Sequence, residues 1–306
     1  MLIDEIIDLC DSKYSATETT STCMDCNHKE KCSGGCKQCL EEIHYPKKYP
    51  SGKKDYDCNN LINFYVCDYS YKYASEIWYL LRKSEALKKL EKYNVLSIGC
   101  GGCPDLMAFE SYIKETGGNK KVHYFGIDRN ERWKPIHNAI SNYKSDAIAA
   151  TSFRYEDAIE YFNKTNNHKV KFANVLVLQY VISHFYNTGQ IEKINEFFDN
   201  LVERIIMYRN ERKPFVIIIN DVNSTYRGRD FFIDLCKKLS DADLHGVYSQ
   251  YYFDYRIQND YQRYGVKHDS IRHLYGDIPE KLRKYEPWEV CSSAQLLIEV
   301  SEGDKK

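Results

Sequence analysis

Between residues 94 and 300 the apolar positions alternate between two spacings. Val95-Leu-Ser-Ile98, Val122-His-Tyr-Phe-Gly-Ile127, Val175-Leu-Val-Leu178 and Phe215-Val-Ile-Ile-Ile219 are short runs that are apolar almost throughout. Runs of this length and character predict strands buried on both faces. The segments between them repeat at helical spacing. Pro104 to Glu115 reads as a helix with proline at its favoured first position. A helix at about 190–210 carries Ile191, Ile194, Phe198, Leu201 and Ile205 on one face, and another runs from Phe231 to Leu239. Tyr248–Tyr255 and Gln295–Val300 read as two further strands. Strands alternating with helices in this way predict an α/β fold, with a mostly parallel sheet covered on both faces.

The first ninety residues follow a different pattern. Residues 2–11 predict a short helix with Leu2, Ile6, Ile7 and Cys10 along one stripe. Ser15 to Ser21 is a Ser/Thr-rich connector, and Tyr45-Pro46 to Lys54 reads as a loop with two prolines and a Ser-Gly. A long helical pattern then runs from about Asn60 to Tyr93. Two units are expected: a small N-terminal module over residues 1–59 and an α/β domain over 60–306.

Composition narrows the class. The 306 residues are enough for one large domain with an appendage, and 43% are hydrophobic. No apolar run approaches the length of a membrane span, and the start lacks the pattern of a secretory signal, so a cytoplasmic location is expected. A formal net charge of −1 argues against a generally basic nucleic-acid binder. A local patch remains: Lys47, Lys48, Lys53 and Lys54 are mixed with Tyr45, Tyr49 and Tyr56, a combination that suits stacking on single-stranded bases.

Val95-Leu-Ser-Ile-Gly99-Cys-Gly101-Gly102-Cys-Pro104 joins the first strand to its helix. Glycines there let the backbone approach a ligand closely. Asp128 ends the next strand, where a carboxylate can accept the hydroxyl hydrogens of a ribose. A dinucleotide fingerprint would need glycine at 104, which is proline, and this weakens a nicotinamide or flavin reading. The pattern is similar to that of the class I, Rossmann-like S-adenosylmethionine-dependent methyltransferases, over about residues 70–301. By that resemblance Gly99 and Gly101 lie under the amino-acid part of S-adenosylmethionine, Asp128 holds the ribose, and Asp157 receives the adenine amino group. Gln179 then sits beside the transferred methyl. The chain departs from the family pattern at Cys103, where a third glycine is usual, and at Ser97, where an acidic residue is common. Asp157 has a second reading, as a carboxylate at a helix start.

Five cysteines crowd into the run Cys23-Met-Asp-Cys26-Asn-His-Lys-Glu-Lys-Cys32-Ser-Gly-Gly-Cys36-Lys-Gln-Cys39. Cys23, Cys26, Cys32 and Cys36 are the candidate ligands of one metal ion, with zinc the default for four thiolates in a small module. Cys39, Cys58, Cys67, His28 and His44 are spare ligands. Over residues 23–36 the spacing resembles part of the SPASM segment of radical-SAM maturases, where cysteines hold auxiliary 4Fe–4S clusters, so an iron–sulfur cluster is the alternative. The scattered cysteines read as buried small hydrophobes.

The expectation is therefore S-adenosylmethionine-dependent methyl transfer, with RNA as the acceptor reached through the module and its basic, aromatic loop. Methyl transfer to a protein or small molecule, and a non-catalytic docking protein that keeps the cofactor, are the alternatives. No catalytic side chain is visible in the sequence.

Overall fold

The structure is a computed structural model, and it describes residues 1–14, 35–164, 172–255 and 263–300. Eight strands form one sheet in the order β3-β2-β1-β4-β5-β8-β6-β7. They are β1 (Tyr93–Ile98), β2 (Val122–Ile127), β3 (Ile148–Arg154), β4 (Val175–Gln179), β5 (Phe215–Val222), β6 (Gly246–Tyr252), β7 (Val266–Lys267) and β8 (Ser293–Val300). The first five pair parallel with one another, while β8 runs antiparallel to both β5 and β6.

The apolar runs explain this architecture residue by residue. In β4, Val175 and Val177 face one buried cluster, and Leu176 and Leu178 face the other. In β5, Val216 and Ile218 take the first side, and Ile217 and Ile219 the second. A strand side chain reverses direction at each residue, so a continuous apolar run needs cover on both faces. The cover on the first face includes α1 (Leu2–Lys13), α3 (Asn59–Lys83) and α5 (Pro104–Thr116). On the second it includes α7 (Ala158–Asn163), α9 (Ile194–Arg204) and α10 (Phe232–Asp241). The expected α/β class is thus observed.

The helical pattern expected over 60–93 breaks at Ser84. There the backbone turns extended, and the Ser84 hydroxyl accepts a hydrogen bond from the Leu87 amide at 3.1 Å, starting α4 (Glu85–Lys89). A serine able to cap a new helix competes with continuing the old one. The helix expected at 190–210 shortens to α9, with 3₁₀ turns at Ile191–Lys193 and Ile206–Tyr208.

Residues 2–13 do not stand apart from the sheet. Leu2, Ile3, Ile6 and Ile7 are buried in the same cluster as α3 and α5, and the Leu2 amide donates to Glu110 Oε2 at 2.8 Å. The helix α2 (Cys36–His44) buries Leu40 and Ile43 in that cluster too.

The order of strands places the site. From β1 the chain steps outward to β2 and β3, then returns to lay β4 on the other flank of β1. A crevice opens at the carboxyl ends of the strands where such a reversal occurs.

Candidate functional site

A cavity of about 420 Å³ lies at that reversal, with Gly99 and Gly101 after β1, Asp128 after β2, Asp157 after β3 and Gln179 at the end of β4 in its wall. All five residues singled out from the sequence therefore meet in one place.

The turn after β1 is tied to the end of β2. The amides of Gly99 and Cys100 both donate to the Ile127 carbonyl, at 2.8 and 3.2 Å. Gly99 and Gly101 have φ of +64° and +48°, in the left-handed region that glycine enters without penalty. A Cβ on Gly101 would stand 3.5 Å from the Trp133 ring, an ordinary contact. The requirement for glycine at 101 is thus one of backbone conformation rather than of protein packing.

The Asp128 carboxylate is held on both sides. Oδ2 accepts from the Gly101 amide at 2.9 Å and Oδ1 from the Asn130 amide at 2.8 Å. Burial raises its pKa, and the amides of Asn130 and Gly101 oppose that shift. Each oxygen has a further lone pair, so the carboxylate can still accept two hydroxyls.

A small annex of about 30 Å³ continues from the cavity, against Ser97, Gly99, Gly101, Asp105 and Gln179. Two buried oxygens in its wall have no hydrogen-bond partner among the described residues: Gln179 Oε1 and Asp105 Oδ2. Their companion atoms are fixed, since Gln179 Nε2 donates to the Tyr73 carbonyl at 2.8 Å and Tyr124 donates to Asp105 Oδ1 at 2.8 Å. Burial and the neighbouring Cys103 charge push the Asp105 carboxyl up to about 7, opposed by the nearby Ser97 hydroxyl and by Tyr124. Buried acceptors left unpaired cost about 1–3 kcal/mol each, so this annex is built for a donor. The residues present fit the amino-acid ammonium of S-adenosylmethionine, with the ribose hydroxyls at Asp128. Asp105 was missed in the sequence. Its signal was an acid at the second position of the helix after the glycine turn, facing the Ser97 position where the family pattern has its acid.

Asp157 is the N-cap of α7. Its Oδ1 accepts from the amides of Ile159 at 2.9 Å and Glu160 at 3.3 Å. The helix-start reading is therefore met, and the same residue still faces the cavity.

The opposite wall is aromatic. Tyr65, Tyr69 and Tyr73 line it from α3, four residues apart and so on one helix face, with neighbouring ring centroids 5.1 and 5.0 Å apart. Tyr73 stacks at 4.3 Å on Tyr180, a non-glycine residue with φ +56° at the end of β4. His44 and Tyr56 close the wall from the N-terminal segment. The His44 ring is bracketed by the hydroxyls of Tyr56 at 2.9 Å and Tyr69 at 3.3 Å. Burial, then the charges of His184 and Lys72, lower His44 to about 4, and burial, then Arg129, lowers His184 to about 4. Lys72 enters the same wall, its ammonium 2.8 Å from Glu76 Oε1 and 4.8–5.7 Å from the rings of Tyr73, Tyr180 and Trp288.

Of the predicted cysteine ligands, Cys23, Cys26 and Cys32, with His28, lie outside the described residues. Cys36 is buried as the first residue of α2. Of the spare ligands, Cys39 lies three residues after Cys36 in the same helix. His44 is engaged with its two tyrosines, Cys58 stands at the start of α3, and Cys67 Sγ lies 3.9 Å from the Ile7 carbonyl.

No protein-family profile matches this sequence, and no curated protein matches it. Solved structures similar to it include the plantazolicin methyltransferase BpumL in complex with a triazolic desmethylPZN analog and SAH. It is 13% identical, with 87% of this chain and 98% of that one covered and a TM-score of 0.47. A putative class I S-adenosylmethionine-dependent methyltransferase from Listeria monocytogenes is 14% identical, covering 100% and 90%, with a TM-score of 0.45. A SAM-dependent methyltransferase from Archaeoglobus fulgidus is 17% identical, covering 74% and 94%, with a TM-score of 0.38.

Proposed function

We propose that this chain is an S-adenosylmethionine-dependent methyltransferase. The observation that carries the reading is Asp128, held by two backbone amides at the carboxyl edge of the sheet, beside a glycine turn and an annex with two unpaired acceptors. In this reading Asp128 takes the ribose, Asp105 and Gln179 take the ammonium, and Asp157 takes the adenine amino group. S-adenosylmethionine supplies a methyl group already activated on a sulfonium. The protein's task is then alignment and exclusion of water. His184 faces the cavity as a neutral ring, burial and then Arg129 holding it below the usual histidine range.

The acceptor we infer is a flat group of a small molecule or peptide, held among Tyr65, Tyr69 and Tyr73. The RNA acceptor expected from the lysine-rich loop has less in its favour. Lys48 lies 3.8 Å from Glu41, Lys53 pairs with Asp57, and Lys54 donates to the Tyr49 carbonyl at 3.1 Å, so these ammonium groups serve local partners. Two measurements test the proposal. Calorimetry should give one site for S-adenosylhomocysteine. Incubation with a labelled methyl donor and cell extract should place label in the small-molecule or peptide fraction. Label confined to RNA would restore the first expectation, and absence of both binding and transfer would refute the enzyme reading.

A further inference from the structure

We propose that Cys100, Cys103 and His137 form a binding site for a thiophilic divalent cation of the zinc class, beneath the glycine turn and separate from the N-terminal cysteines. Two thiol sulfurs and an imidazole nitrogen lie within 4.8 Å of one another, and all three residues are buried. In tetrahedral zinc coordination the donors sit roughly 3.5–3.8 Å apart, as bond lengths of about 2.3 Å to sulfur and 2.0 Å to nitrogen require. The observed set needs to contract by about an ångström at most.

Three further features support the site. Cys103 has φ +58°, a left-handed conformation that costs a non-glycine residue about 1–2 kcal/mol. Gly99 and Gly101, in the same turn, meet their positive φ with glycine. Position 103 keeps a side chain against that cost, which fits a thiol with a task. Second, the His137 ring is fixed from outside. Its Nδ1 lies 2.9 Å from the Tyr155 hydroxyl, and its face stacks on Phe153 at 3.9 Å and 7°. This leaves Nε2 toward the turn, 3.9 Å from Cys100 Sγ and donating at 2.7 Å to the Gly101 carbonyl a proton that a bound cation would displace. Metal-binding histidines are oriented through their other nitrogen in this way. Third, Cys103 Sγ lies 3.8 Å from the same Gly101 carbonyl, so the thiol and the His137 ring converge on one point of the turn. Two thiolates and a dication give a buried complex with no net charge, which a lone thiolate pair would not.

Such an ion would clip the turn that carries Gly101, whose amide holds Asp128. The experiment uses the full chain with Cys23, Cys26, Cys32 and Cys36 changed to serine, stripped with chelator under reducing conditions and titrated with Zn²⁺ and then Co²⁺. The expected result is one equivalent of zinc taken up and a sulfur-to-cobalt charge-transfer band of two-thiolate intensity. In the same background Cys103→Gly, which suits the left-handed backbone, and His137→Gln should each weaken binding by more than the roughly 10–100-fold that loss of an orienting partner costs. Circular dichroism would check that both remain folded. A folded four-serine variant that takes up no zinc would overturn the proposal. So would binding that is undiminished in both ligand variants, or a Cys100–Cys103 disulfide recovered by mass spectrometry in place of the metal.

Discussion

Asp128 concentrates the most specific demand on a single side chain. It accepts two backbone amides and is proposed to accept two ribose hydroxyls as well. Asp128→Ala should weaken S-adenosylhomocysteine by about 1.5–3 kcal/mol, the range for hydrogen bonds to a charged group. Asp128→Asn, which keeps an acceptor for one amide, should lose less. Equal affinity of both variants and the parent, read by calorimetry, would remove Asp128 from the site. A second residue reports on stability rather than binding. His268 is buried, its Nε2 lies 2.6 Å from Gln295 Oε1, and burial lowers it to about 4, against the Gln295 contact. Its unfolded value is near 6.5, so between pH 6.5 and 4 the unfolded chain binds the extra proton. The stability gained by burying neutral His268 is therefore complete above pH 6.5 and lost as pH falls toward 4. The difference in Tm between the parent and His268→Asn should shrink over that window. A pH-independent difference would mean that the ring does not titrate there.

At the scale of elements, α3 is joined to the sheet by a buried polar network. Glu76 Oε1 accepts from Lys72 at 2.8 Å and from the Ser292 amide at 2.9 Å, and Oε2 accepts from Tyr180 at 2.8 Å and Asn220 at 2.9 Å. Glu76→Ala would leave a buried ammonium without its counter-charge, a loss of about 3–5 kcal/mol in urea denaturation. A change under about 1 kcal/mol would show that water reaches Lys72 and compensates. At α7 the two roles of Asp157 can be separated. Asp157→Ala should cost about 0.5–2 kcal/mol through the lost cap, while Asp157→Asn keeps the capping oxygen and should reduce only cofactor affinity. If both variants are equally stable, the cap contributes nothing measurable. These elements also show what the sequence could reveal. The runs in β1, β2, β4 and β5 were legible because a strand covered on both faces must be apolar at every position. The glycine turn and Asp128 were legible because their spacing from the strands is local. The aromatic wall was not, although Tyr65, Tyr69 and Tyr73 recur every four residues. In a chain with 27 tyrosines that stripe has the same pattern as core packing, and only the fold shows that it faces a cavity. Asp105 escaped for a similar reason. An acid in a first helical turn is ordinary, and its unpaired oxygen becomes visible only when Gln179 arrives from β4.

On the scale of the whole molecule, the N-terminal segment and the sheet share the cavity. The candidate ligand Cys36 begins α2, and His44 at the other end of that helix meets Tyr69 of α3 inside the cavity wall. A metal bound by Cys23, Cys26, Cys32 and Cys36 would therefore fix the near end of a helix whose far end touches the proposed ligand. The two stretches flanking the cysteine run should respond differently to loss of that metal. Residues 2–10 are buried against α3 and α5, so α1 should stay docked. The segment around Lys47, Lys48, Lys53 and Lys54 has a smaller apolar anchor and relies on α2, to which Glu42 links it by accepting from the Lys53 amide at 2.9 Å. In a Cys23→Ser/Cys26→Ser variant, trypsin should cut first at these four lysines, while peptides from α1 and the sheet remain protected. Affinity for S-adenosylhomocysteine should fall in parallel as His44 and Tyr56 leave the wall. An unchanged cleavage pattern together with unchanged affinity would detach the cysteine run from the site. Cleavage that instead spreads first through α1 would show that the metal, rather than the shared apolar core, holds the N-terminus to the sheet.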